Sequence, residues 1–214
     1  MNEQVLRRRI ERHCAATIRA ISDHPGAEYR RQQLFLEGRA VTFRVPHLTL
    51  DGLADSIAHC RGVADGIALR LTFSNRELHQ SLAPEDSISI LVFDILEQLR
   101  VESLVSKQLP GINGNLDHAF EHWCQQCRGN GLIENELGLL IFSITQIVRT
   151  GFNNEMLGEA VETIIESVRF RLAPVVGHDL VWLRKSRHDQ KEYSVPALRI
   201  AESELCVLLD RMRV

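Results

Sequence analysis

The sequence predicts an all-α fold, a helical bundle that carries one small β-hairpin near its N-terminus. Three observations lead there. Apolar residues recur at helical spacing through most of the 214 residues. One short stretch, between Glu28 and Val45, alternates in the manner of strands. Strong breakers, Asp23-His24-Pro25-Gly26, Pro46 and Pro110-Gly111, punctuate the periodic runs.

The first helix is expected over 3–22, where Val5, Ile10, Cys14, Ile18 and Ile21 share one face. Leu34-Phe35-Leu36 and Val41-Thr42-Phe43-Arg44-Val45 then read as two strands around a Glu37-Gly38-Arg39 turn. After Pro46 the reading is helical throughout. A helix over 50–73 uses Leu53, Ile57, Val63, Ile67, Leu69 and Leu71. Pro84 suits the first turn of the next one, having no N–H to leave unpaired, and Glu85 and Asp86 suit the positive end of its dipole. That helix is expected to run to Leu109, with later helices over 115–127, 132–150, 154–172, 175–187 and 196–212. No internal repeat, low-complexity tract or long linker interrupts the chain. The expectation is one domain over 1–214, with a basic helix and hairpin at 1–46 and a helical core at 47–214.

Composition narrows the function classes. An apolar fraction of 44% and a charged fraction of 25% are those of a globular protein, which excludes disorder as the dominant state. The net charge of -3 is unevenly spread: residues 1–45 hold nine Arg against five acidic residues, so an acidic body follows a basic front. Such asymmetry can orient a partner, and Arg7, Arg8 and Arg9 are the candidate contact residues. Together with Arg12 they lack the interleaved aromatics and recognition-helix pattern of a nucleic-acid binder, so no nucleic-acid partner is expected. The start, Met1-Asn2-Glu3-Gln4, has no apolar secretory region, and the most apolar stretch, Leu137 to Val148, falls short of the roughly 20 residues that span a bilayer. Five cysteines, an odd and scattered set, read as reduced thiols in the cytoplasm, with no membrane association.

The helix around residues 88–105 is apolar on both sides. Ile88, Leu91, Val92, Ile95 and Leu99 form one stripe, and Ile90, Phe93, Val101, Leu104 and Val105 another. Such a helix lies in the middle of a domain. Asp94, Glu97 and Gln98 project from among these residues and must be paired or hydrogen-bonded there, since desolvating a lone carboxylate is costly. A structural polar network of Arg70, His79, Asp94, Glu97, Arg100 and Glu102 is the expectation, and no catalytic residue is assigned.

Residues 61–116 carry a more specific pattern. It begins Arg61-Gly62-Val63-Ala64-Asp65 and Ala68-Leu69-Arg70-Leu71, then Leu78-His79 and Leu82-Ala83-Pro84. Phe93-Asp94-Ile95-Leu96-Glu97-Gln98-Leu99-Arg100-Val101-Glu102 follows, and Pro110-Gly111-Ile112 with Asn115-Leu116 closes it. This order and spacing resemble the N-terminal region of the CobT subunit of aerobic, ATP-dependent cobaltochelatase. Family members usually also carry a von Willebrand A-type domain with an Asp-x-Ser-x-Ser motif, which Asp86-Ser87-Ile88-Ser89 does not match. The resemblance implies a non-catalytic assembly subunit for cobalt insertion into hydrogenobyrinic acid a,c-diamide during cobalamin biosynthesis. Its implied partners are a CobS-like AAA+ ATPase and a large, CobN-like, corrin-binding subunit, and an oligomer is possible. ATP, magnesium and cobalt belong to that complex, with no cofactor in this chain. A partner module of an AAA+/von Willebrand pair serving another metalloenzyme is the alternative.

The chain lacks the Gly-x-x-x-x-Gly-Lys-Ser/Thr phosphate loop, the Gly-x-Ser-x-Gly elbow and a Gly-rich dinucleotide fingerprint. The competing signal is metal binding by His118, His122, Cys124 and Cys127, since two His and two Cys within ten residues suit zinc or cobalt. On a helix, however, the His pair and the Cys pair point in nearly opposite directions, so no metal site is expected.

Overall fold

The computed structural model describes residues 3–50, 57–105, 109–154 and 156–204. These form eight α-helices and one three-stranded antiparallel sheet near the N-terminus, distributed over two compact units.

The first unit comprises residues 1–74 and 105–125. Helix α1 (Glu3–Ile21) buries Cys14, Ala15 and Ile18 against α2 (Ile57–Phe73), as its helical spacing requires. Ser22 ends α1 by turning its N–H and hydroxyl back to the Ile18 carbonyl, at 2.9 and 2.6 Å. The sheet has the order β1 (Glu28–Arg30), β2 (Gln33–Leu36), β3 (Arg39–Val41). Tyr29, Leu34 and Val41 face one another across the strands and are buried, so one face of the sheet completes the core.

The expected hairpin is the β2–β3 pair, with Glu37 (φ 49°) and Gly38 (φ 76°) at its turn, the left-handed pair that a two-residue hairpin loop requires. Its second strand is 39–41 rather than 41–45. A further strand, β1, precedes it through an Arg31-Gln32 turn whose φ values are 51° and 62°. Neither residue is glycine, and left-handed backbone costs an L-residue roughly 1–2 kcal/mol. The Arg31 N–H donates to Glu11 Oε1 at 2.6 Å, which holds this turn to α1.

Within the same unit, α5 (Pro110–Gly129), as far as Gln125, lies directly on α2. A Cβ on Gly62 would stand 2.1 Å from the Asn115 carbonyl oxygen and 2.7 Å from Ala119 Cβ, so only glycine permits this approach. One turn along α2, buried Asp65 accepts a 2.7 Å hydrogen bond from Asn115 Nδ2. Burial pushes the Asp65 carboxyl above the usual range, and the Asn115 bond only partly opposes this. The 3₁₀ turn Pro46–Leu48 sets buried His47 edge-on to Phe120.

The second unit comprises residues 75–104 and those from 126 onward. A short helix α3 (Arg76–Ser81), absent from the sequence expectation, is capped by Asn75, whose side chain accepts from the Leu78 N–H at 3.0 Å. Helix α4 (Ser87–Glu102) starts later than expected: Pro84 and Glu85 precede it, and Asp86 is its N-cap, accepting from Ile88 and Ser89. From Val92 to Glu102 every residue of α4 is buried. It packs on α6 (Glu136–Asn153) and α8 (Gln190–Arg199), and on the π-helical turn Ile200–Glu204 that continues α8.

The remaining boundaries also differ from the expectation. α5 begins at Pro110, which opens the helix instead of ending the one before it. Leu132–Glu134 forms a separate 3₁₀ turn before α6. Asn154, at φ 57°, caps the end of α6, so the next helix, α7 (Glu159–Ser186), starts later. α7 runs unbroken through Pro174, merging two expected helices. Pro174 is exposed, as is Phe170 one turn earlier, so the carbonyl that loses its helical partner there can be hydrated. The helix expected over 196–212 instead begins at Gln190, and its last part lies outside the described residues. No helix among the described residues is long and apolar enough to cross a membrane.

Two outcomes follow from the α2–α5 contact. Gly62→Ala should lower stability by at least about 1–3 kcal/mol in a urea titration, because backbone as well as side chain must retreat from the new methyl. Asp65→Asn keeps the oxygen acceptor but removes the titration. Because the folded-state pKa is raised, the wild type is favoured at acid pH and loses that advantage as pH rises through the shifted value. The stability of Asp65→Asn relative to wild type should therefore grow between pH 4 and pH 7, and an unchanging difference would contradict the buried setting.

Candidate functional site

Arg8, Arg12, Ala15 and Arg19 recur every three to four residues along α1 and so share one face. Strand β1 supplies the facing wall through Glu28, Tyr29 and Arg30, and the two elements enclose an open cleft of about 420 Å³ that Glu11 also lines. Several of these charges are already engaged. Arg19 Nη1 donates to the Ala27 carbonyl at 2.9 Å. Arg30 stands 3.4 Å from Glu28 and 4.4 Å above the Phe35 ring. Glu11 accepts from the Arg31 N–H and stands 3.5 Å from Arg7.

Arg8 and Arg12 differ from these. Both are exposed, and their guanidinium groups make no ion pair or hydrogen bond among the described residues. Two free forks one turn apart, backed by two further arginines, form a site for carboxylate or phosphate oxygens, which guanidinium binds through two parallel bonds. The helix thus divides the expected block of Arg7, Arg8 and Arg9. Arg8 lines the cleft, Arg7 turns to Glu11, and exposed Arg9 does not line it. Arg19 and Arg30 enter the site only through helical phase and strand pairing.

The six residues of the expected polar network are all buried. Five lie in the second unit, where each makes a polar contact of 2.7–2.9 Å with a side chain on α3 or α4. Glu97 and Arg100 make a forked pair, with Arg100 Nε and Nη2 each 2.7 Å from a Glu97 oxygen. The Arg100 Nη1 donates to the Arg187 carbonyl at 3.2 Å, and the guanidinium lies 5.8 Å over the Tyr193 ring. Asp94 Oδ1 is 2.7 Å from His79 Nε2, and that imidazole stacks on Phe93 with 4.5 Å between centroids. Glu102 accepts from Gln98 Nε2 at 2.9 Å. Arg70 belongs to the first unit, with its guanidinium 5.7 Å over the Phe43 ring. Two buried carboxylates lie outside the expected network: Asp65 on α2, described above, and Asp179 on α7, 3.1 Å from Arg199 on α8.

His118 is exposed, whereas His122 is half-buried and lies 4.1 Å from the His59 ring, centroid to centroid. Cys124 and Cys127 are buried thiols that form no disulfide. Burial pushes the Cys127 thiol up to about 11, and the Cys14 thiol, desolvated beside Cys60, up to about 12, so both are neutral at physiological pH. Among the described residues no three His, Cys, Asp or Glu side chains converge into a metal site.

The forked pair on α4 makes a quantitative test. Arg100→Ala should destabilise the fold by about 3–5 kcal/mol by taking the forked guanidinium away from buried Glu97. Replacing both residues with apolar side chains of similar volume should cost less than either single change. Chemical denaturation of the three variants measures this, and additive losses would argue against coupling.

No solved structure matches the chain. The family model described as cobalamin biosynthesis protein CobT matches residues 8–203, which takes in α1 from Arg8 onward, the sheet and the whole of α4. The chain belongs to the CobT family and has its role in cobalamin biosynthesis.

Proposed function

We propose that the chain is a non-catalytic docking subunit of an ATP-dependent cobaltochelatase complex. In this reading it joins a CobS-like AAA+ ATPase and a large, CobN-like, corrin-binding subunit in the cytoplasm. The complex inserts cobalt into hydrogenobyrinic acid a,c-diamide, with ATP and magnesium used on the ATPase subunit. Membership of the CobT family supports the pathway, and the missing phosphate loop supports assigning ATP hydrolysis to another chain.

The observation that carries the docking role is the α1–β1 cleft. Arg8 and Arg12 present free guanidinium groups there, beside the engaged Arg19 and Arg30. Such a face suits carboxylates of a partner protein. Glu11 and Glu28 on its walls favour discrete acidic side chains over a continuous phosphate backbone, which they would repel.

The test is co-purification of the full chain with the AAA+ ATPase of its own organism, with and without nucleotide. Binding should weaken at high salt, since the Debye length falls from about 8 Å at 0.15 M to about 3 Å at 1 M. Arg8→Glu/Arg12→Glu should slow association while leaving the circular dichroism spectrum unchanged. A folded wild-type chain that never associates would overturn the reading, and association indifferent to the double reversal would remove the cleft from it.

A further inference from the structure

We propose that the outer face of α7 is a self-association surface, on which a second copy of this chain pairs its own α7 in antiparallel fashion. The inference stands apart from the docking role of the α1–β1 cleft.

The buried side of α7 is the row Ile165, Val168, Leu172, Val176, Asp179, Leu183 and Ser186. At 100° per residue, Phe170, Pro174, Gly177 and Val181 form a second row on the opposite side of the same helix. Phe170 is 84% exposed and Val181 54%, against an expectation that an outward helix face is polar. A Cβ built on Gly177 would meet nothing within 4 Å, so the space over the middle of the row is open to a neighbouring helix.

Charge identifies the occupant. The first part of α7 carries Glu159, Glu162 and Glu166, and its last turn carries Arg184 and Lys185. Glu166 and Lys185 are exposed and make no ion pair among the described residues. They flank the apolar row at equal distances from its centre, between Pro174 and Gly177. A two-fold axis through that centre therefore sets Phe170 of one copy against Val181 of the other. It also brings Glu166 beside the Arg184–Lys185 end of the second helix. A parallel pairing would instead oppose like charges at both ends. Self-complementarity of this kind, apolar in the middle and opposite in sign at the ends, is what an isologous dimer requires. The small residues at the centre allow the two backbones to approach.

The experiment is sedimentation equilibrium of the full chain across a wide concentration range. The wild type should show a monomer–dimer equilibrium. Phe170→Ser and Val181→Ser should each raise the dimer dissociation constant by roughly tenfold or more, with helicity unchanged because both side chains are exposed. Glu166→Lys should weaken the dimer, and adding Arg184→Glu and Lys185→Glu to it should restore association. A wild type that stays monomeric up to millimolar concentration would overturn the proposal. So would a dimer untouched by Phe170→Ser, or a charge swap that fails to rescue.

Discussion

The buried fork between Glu97 and Arg100 is the constraint on which much of the second unit depends. Taking a carboxylate and a guanidinium out of water costs several kcal/mol per ion, and only good geometry with further hydrogen bonds offsets this. Two 2.7 Å contacts satisfy both Glu97 oxygens, and Arg100 spends its remaining reach on the Arg187 carbonyl and the Tyr193 ring. Tyr193 in turn donates its hydroxyl to the Leu96 carbonyl at 2.7 Å. The end of α7 and the start of α8 are thus positioned by one charge on α4. Ser89 does the same at the other end of α4, donating to the Ala201 carbonyl in the π-helical turn at 2.8 Å.

A different device organises the first unit. There buried Asp65, His47 and Arg70 lie among apolar residues, and close approach is obtained by removing side chain, at Gly62, where α2 meets α5. The three-stranded sheet buries only Tyr29, Leu34 and Val41, too little apolar area to be stable alone. Its position beside α1 is secured by the Glu11 carboxylate, which takes up the Arg31 N–H of a strained turn. The same carboxylate engages Arg7, while Arg8 and Arg12 make no ion pair among the described residues. Stability and recognition are therefore linked at one residue.

Many of the buried polar groups described above contact one another, while Arg8 and Arg12 on α1 and Phe170 and Val181 on α7 are exposed. A long-range field from the basic front would affect chiefly the rate and orientation of encounter, whereas apolar contacts that buried an exposed side chain such as Phe170 would affect residence.

What the sequence by itself determined is the class of fold, the β2–β3 turn, the family and the burial of α4. Each depends on local periodicity, on turn chemistry such as Glu37-Gly38, or on an ordered run of residues within a short window. What only the tertiary structure decided are the features that local preference opposes or does not encode. Arg31-Gln32 has no turn signal, because its left-handed backbone is held by Glu11, twenty residues away. Pro174 should break α7, yet the helix continues because the residue is exposed and the next buried turns hold it. The run Arg7-Arg8-Arg9 looks like one patch, but each step of 100° sends consecutive arginines to different sides. The cleft is assembled instead from Arg8, Arg12, Arg19 and, through strand pairing, Arg30. Composition and spacing report which charges exist, whereas helical phase and long-range contacts decide which of them remain free.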